Sequence, residues 1–150
     1  LRLYLEPSVL VKLFKTENGS AKMVDVLSAV DRHRKWYACT SRWSLLEIAR
    51  ALRKDGKPRE LIELNLGELR RHKIHLIELS RNILSQAESI VASHDVYTSD
   101  ALHAATFAAV SAQRRLGGML SEDTHFQRLG DIVKVLMLRD VTIEERDPPT

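Results

Sequence analysis

The sequence predicts an α/β fold, a sandwich with a mainly parallel central sheet, and three observations lead to it. Short apolar runs of strand length alternate with longer segments whose apolar residues recur every three or four positions. Carboxylates stand at or just beyond several element ends. The 150 residues, 44% hydrophobic and 29% charged, show no repeat, low-complexity tract or linker, so one domain is expected across residues 1–150, with a peripheral tail from about Asp140.

The elements follow in order. Leu1 to Leu5 reads as a strand that ends at Glu6, and Pro7 suits the first turn of a helical pattern from Val9 to Phe14. Ser20 caps a second helical pattern, with Met23, Val26, Leu27 and Val30 on one face, running to about Arg34. Trp36 to Thr40 is the second strand. Thr40 or Ser41 then caps a helix bearing Leu45, Ile48, Ala49 and Leu52, which Asp55-Gly56-Lys57-Pro58 ends. A charged helix is expected from Arg59 to His72, a strand from Ile74 to Leu79, and a helix from Ser80 with Ile83, Leu84, Ala87 and Ile90. The loop 93–99 leads to Asp100 and a helix from Ala101 to Arg114 that is apolar on most faces and therefore central. Met119 to Ser121 and Val133 to Met137 complete the strands, with Asp123 in the turn between them.

Composition narrows the function classes. A single cysteine, Cys39, excludes an intramolecular disulfide, reads as a small buried hydrophobe and makes a reducing compartment the default. No apolar run reaches the roughly 18 residues of a membrane span, and no signal-peptide pattern opens the chain, so a cytoplasmic protein without membrane attachment is expected. The net charge of +3 permits a polyanionic partner without requiring one.

Four carboxylates carry the chemistry. If the strands are parallel neighbours, Glu6 and Asp123 project from one sheet edge. Asp100 sits at the mouth of the central helix, where a carboxylate also gains from exposed backbone N–H groups. Glu47 interrupts the apolar run Leu45-Leu46-Glu47-Ile48-Ala49, where an unpaired buried charge is costly; the alternative is an exposed residue paired with Arg50 or Lys54. Turn and capping roles serve Glu6, Asp100 and Asp123 singly. Together, the carboxylates repel one another unless a hard divalent cation, ligated through oxygen, holds them.

Four segments carry a family resemblance. Leu3-Tyr4-Leu5-Glu6-Pro7-Ser8 with the following helix, Ser41 to Leu52 around Glu47, Tyr97-Thr98-Ser99-Asp100-Ala101-Leu102-His103, and Leu120-Ser121-Glu122-Asp123-Thr124 resemble, in order, the four acidic motifs of the PIN-domain family. This is the nuclease fold shared by bacterial and archaeal toxins of the virulence-associated toxin–antitoxin type. The resemblance implies a PIN-like three-layer α/β/α sandwich. It also implies that Glu6, Glu47, Asp100 and Asp123 act as catalytic and metal-ligating residues for Mg²⁺ or Mn²⁺, hydrolysing RNA phosphodiesters to leave a 5′-phosphate. Homodimerisation and an antitoxin partner, which could place a basic side chain in the acidic site, follow from the same resemblance. Where the family ordinarily has aspartate this chain has Glu6, whose extra methylene extends the carboxylate by roughly one bond, about 1.5 Å. A catalytically weakened RNA-binding or protein-interaction module is therefore the alternative function. A phosphatase is a third reading, although no P-loop glycine pattern accompanies it.

Around the acids, Ser8 is a candidate to orient Glu6 or to cap the next helix, with Ser121 and Thr98 as further supporting hydroxyls. Lys12, Arg42 and Arg50, together with Lys15 and Arg53, fall near the acidic edge and are candidates to hold substrate phosphates, or are solvated cations. The runs Arg32 to Lys35 and Arg70 to Lys73 read as helix-end charges. His94, His103 and His125 flank two acidic motifs but show no zinc spacing, which favours an oxygen-ligated metal. Trp43, Leu46 and Arg50 form a possible partner-binding strip, and Leu61, Leu64 and Leu69 another, or these leucines are core.

Overall fold

The computed structural model describes residues 1–143. Five strands form one sheet in the order β3-β2-β1-β4-β5, every neighbouring pair parallel: β1 (Arg2–Leu5), β2 (Tyr37–Ser41), β3 (Ile74–Ile77), β4 (Gly118–Leu120) and β5 (Val135–Leu136). Six α-helices connect them: α1 (Pro7–Leu10), α2 (Ser20–Arg32), α3 (Trp43–Lys54), α4 (Arg59–Arg71), α5 (Arg81–Ser93) and α6 (Thr98–Arg114).

Strand alternation makes the three layers. Leu3 and Leu5 point to one face of β1 and join Val26, Val30, Ile48, Leu52, Ile62 and Leu69 from α2, α3 and α4. Tyr4 points to the other face and, with Cys39 and Met119, meets Ile83, Ala87 and Ile90 of α5 and Ala101, Ala105 and Phe107 of α6. The central strands are apolar on both faces because helices cover both, as a parallel sheet requires. Cys39 is fully buried, and burial pushes its thiol up to about 12.

Boundaries differ from the sequence expectation where tertiary pairing decides them. The second strand lies one residue later, at Tyr37–Ser41, because Ser41 pairs with Ile77, while the Trp36 N–H turns back to the His33 carbonyl at 3.1 Å. The central helix starts at Thr98, three residues earlier, with the Ala101 N–H bonded to the Tyr97 carbonyl at 3.0 Å; Asp100 is therefore inside its first turn. The last strand shrinks to Val135–Leu136, and the first helix changes after Leu10 to a 3-10 turn over Val11–Leu13. The expected tail from Asp140 still contributes Val141 to the core beside Leu138; its remaining residues, 144–150, lie outside the described ones.

The topology also fixes where a ligand would sit. From β1 the chain moves outward through β2 and β3, then returns to place β4 on the other side of β1 and proceeds to β5. The order thus reverses between β1 and β4, and the crevice beyond their carboxyl ends is the usual ligand position in such sheets.

Candidate metal centre at the switch point

Glu6 and Asp123 leave the sheet at this crevice. The Glu6 N–H continues the β1–β4 pairing by donating to the Leu120 carbonyl at 3.1 Å, and the Ser121 N–H donates to the Leu136 carbonyl at 3.1 Å. The side chain of Glu6 caps α1: its Oε2 accepts from the Ser8 N–H at 3.0 Å, from the Ser8 hydroxyl, and from the Ser121 hydroxyl at 2.9 Å. The same hydroxyls accept from the next loop, Ser8 Oγ from the Glu122 N–H and Ser121 Oγ from the Asp123 N–H, both at 2.9 Å. Ser8 and Ser121 thereby tie the first acidic motif to the fourth. Burial raises the pKa of Glu6, against the lowering effect of these hydrogen bonds.

Asp100 enters from α6. It is buried, and among the described residues its Oδ2 has no hydrogen-bond partner. Burial is the first cause of its raised pKa and the neighbouring charge of Asp123 the second. Asp123 caps the 3-10 turn Thr124–Leu129 through the His125 N–H at 2.9 Å, which brings the His125 ring back over the acids. His125 Nδ1 lies 3.2 Å from Asp123 Oδ1 and 3.9 Å from Asp100 Oδ2. Asp100, Asp123 and His125 each offer a ligand atom within 4.8 Å of the others. An orphaned buried carboxylate oxygen beside a second carboxylate and an imidazole fits a divalent cation. The sequence reading favoured oxygen donors alone; the structure adds a nitrogen donor at His125.

Glu47 is held differently. It pairs not with Arg50 or Lys54 along its own helix but with His103 of α6, Oε1 to Nε2 at 2.6 Å. His103 is fully buried, and its Nδ1 lies 2.6 Å from the Tyr4 hydroxyl, which itself accepts from the Ser41 N–H at 3.1 Å. With Ser41 donating to the tyrosine oxygen, Tyr4 can donate to Nδ1, and Nε2 then donates to Glu47. A buried line of hydrogen bonds thus runs from β2 through β1 and α6 to the carboxylate of α3. Tyr4 carries no functional signal in the sequence, and His103 stands out there only as one of three histidines flanking the acidic motifs, without zinc spacing. The available signal was spacing, since His103 stands three residues after Asp100 and shares its helix face.

The remaining candidates are placed less centrally. Thr98 is exposed at the start of α6 and bonds none of the four acids. Lys12 is engaged by Glu17 at 3.3 Å and the Asn18 carbonyl at 2.7 Å, Lys15 by Asp55 at 2.6 Å, and Arg42 by Glu78 at 3.1 Å. Arg50 is exposed, and Arg53 turns to the Lys57 carbonyl. Beside Asp100 and His125 opens a cavity of about 240 Å³, rimmed by Arg128 and by Tyr97, which is 70% exposed. Of the possible docking strips, Leu46, Leu61 and Leu64 are exposed, whereas Trp43 is half-buried and Leu69 is core.

The PIN domain family matches residues 3–132 of the chain, from the first strand to beyond the fourth acidic motif. The chain belongs to the PIN-domain family. A search of curated proteins finds no match. Among solved structures, the fold is similar to that of VapC20 of Mycobacterium tuberculosis, described as a Sarcin-Ricin loop cleaving toxin. The TM-score is 0.66 at 15% identity, over 85% of this chain and 95% of that one. It is also similar to VapBC2 of Rickettsia felis, bound to a DNA fragment from its promoter, at TM-score 0.68 and 12% identity, over 91% and 98% of the two chains. A toxin–antitoxin complex from Klebsiella pneumoniae gives 0.61 at 14%, over 93% and 99%. In this PIN domain, the four acidic motifs are the segments that meet around the crevice. No helix among the described residues is long and apolar enough to cross a membrane.

Proposed function

We propose that this PIN domain is a metal-dependent endoribonuclease, the toxin of a toxin–antitoxin pair, acting in the cytoplasm as a homodimer. The observation that carries the reading is Asp100 Oδ2, buried without a hydrogen-bond partner among the described residues, beside Asp123 and His125 at the sheet's switch point. Asp100 and Asp123 would hold Mg²⁺ or Mn²⁺, with His125 as a further donor and Glu6 and Glu47 completing the acidic rim. When bound, such a cation lowers the pKa of water and stabilises charge on a departing oxygen.

The protein's own groups supply positioning. Glu6 is aimed by Ser8 and Ser121, whose hydroxyls occupy Oε2 and leave Oε1 without a hydrogen bond from the described residues. Glu47 receives a proton-bearing Nε2 from His103, which keeps its carboxylate directed while leaving it partly open to solvent. Tyr97 offers a face for an RNA base at the cavity rim, where Arg128 is held by the Asp95 carbonyl at 3.1 Å. The acidic surface also suits a basic side chain from an antitoxin, which would neutralise it.

Incubation of the pure protein with end-labelled single-stranded RNA tests this. Cleavage in Mg²⁺ or Mn²⁺, with a 5′-phosphate on the downstream product, is expected. Chelation should abolish it, and Asp100→Asn with Asp123→Asn should reduce it by about 10²-fold or more. Equal cleavage by the double variant, or none by the wild type in either metal, would defeat the reading.

A further inference from the structure

The two basic runs that read as helix-end charges meet at the opposite edge of the sheet. The amino-terminal ends of β1, β2 and β3, the loop 33–36 and the end of α6 enclose a cavity of about 750 Å³. Arg34, Lys35, Lys73, Arg2 and Arg114 line it, and among the described residues no carboxylate does. Part of this charge has a structural use. Arg2 donates to the Arg114 carbonyl at the end of α6, and Asp31 ties His72 at 2.6 Å and the Lys73 N–H at 2.9 Å.

Helix-dipole compensation accounts for Arg32, Arg70 and Arg71, which lie in last turns. It does not account for Arg34, Lys35 and Lys73, which stand beyond the helix ends, are exposed, and converge from runs about forty residues apart. Among the described residues, Arg34 and Lys35 have no ion pair.

Aromatic surface adjoins these cations. Tyr37 and His75 stack with centroids 4.9 Å apart and planes 22° from parallel, and the Arg114 guanidinium sits 4.6 Å from the Tyr37 ring centre. A second cavity, of about 350 Å³, shares Tyr37, His75 and Arg114 with the first and continues along β3 over Leu76, Ile77 and Val110. Exposed cations, of which Lys73 has Asp31 nearby, joined through stacked rings to a slot over Leu76, Ile77 and Val110, match a ligand that alternates phosphates with flat bases.

We propose that this amino-terminal edge is a second binding site for single-stranded RNA, with backbone phosphates on Arg34, Lys35 and Lys73 and a base against His75 and the adjoining slot. The site is separate from the acidic crevice. Strands of four or five residues span about 13–17 Å between the two edges, so one phosphate cannot occupy both.

The test measures binding, not cleavage, and so stands apart from the catalytic reading. Anisotropy of fluorescein-labelled decauridylate is followed in EDTA at several salt concentrations, using protein carrying Asp100→Asn and Asp123→Asn. Adding Arg34→Ala, Lys35→Ala and Lys73→Ala should weaken binding by tenfold or more and reduce the log–log salt slope by about 2. Removing Lys22, Lys54 and Arg81 to alanine, with the same change in net charge, should change neither. His75→Ala should weaken the RNA roughly fivefold while leaving competition by tripolyphosphate unchanged. Circular dichroism melts confirm folding, and Lys35→Glu provides a single-site variant with the same expected direction. Equal losses in the two triple variants would overturn the proposal, as would hexaglutamate binding as tightly as the RNA.

Discussion

At Asp100, burial and the nearby Asp123 raise the carboxyl pKa, so the folded protein binds this proton more tightly than the unfolded chain does. The contribution to stability is therefore full at low pH and is lost as pH climbs from the ordinary carboxylate range through the raised folded value. Glu6 shifts in the same direction through burial. Asp100→Asn should accordingly raise the melting temperature of metal-free protein at pH 7 by a few degrees, at roughly 2–4 °C per kcal/mol for a chain of this size. It should also flatten the decline above the ordinary carboxylate range, and scanning calorimetry across a pH series measures both. The four acids could be picked out as candidates because each stands at a strand end, a helix mouth or inside an apolar run. That Asp100 would be orphaned and His125 folded over it was not legible, since both depend on the turn after β4 packing against α6.

At the level of elements, the Tyr4–His103–Glu47 line couples β1, α6 and α3. Tyr4→Phe removes one buried hydroxyl and should cost about 1–2 kcal/mol of stability by urea unfolding. His103→Ala, which adds a cavity, should cost about 3 kcal/mol. If the line positions Glu47, Tyr4→Phe should also lower kcat with little change in KM; a purely structural role would leave kcat intact in the folded fraction. Gly118 shows how closely β4 and β5 approach: an added Cβ there would lie 2.6 Å from Leu136 Cγ and 3.0 Å from the Lys134 carbonyl oxygen. Gly118→Ala should cost about 1–3 kcal/mol, and because Ser121 and Asp123 directly follow β4, RNA cleavage should fall with it. Strands and helices were readable from periodicity, but these couplings were not. Tyr4 and His103 are 99 residues apart, and a strand tyrosine or helix histidine announces no partner.

For the whole molecule, the parallel sheet separates two kinds of charge. Its carboxyl edge gathers carboxylates at the β1–β4 switch point, and its amino edge gathers cations around Tyr37 and His75. The alternation of strands and helices was enough to anticipate the α/β layers and to send Glu6 and Asp123 to one edge. The convergence of the two basic runs needed the strand order, because it places the starts of β2 and β3 side by side. A divalent cation at the carboxyl edge should be visible in calorimetric titration of Mn²⁺ into the metal-free protein at pH 7. The wild type should give a saturable heat that raises the melting temperature as ligand linkage requires, with binding weakened at least tenfold by Asp100→Asn or Asp123→Asn. Undiminished Mn²⁺ binding in both variants, or none in the wild type up to millimolar concentration, would contradict it.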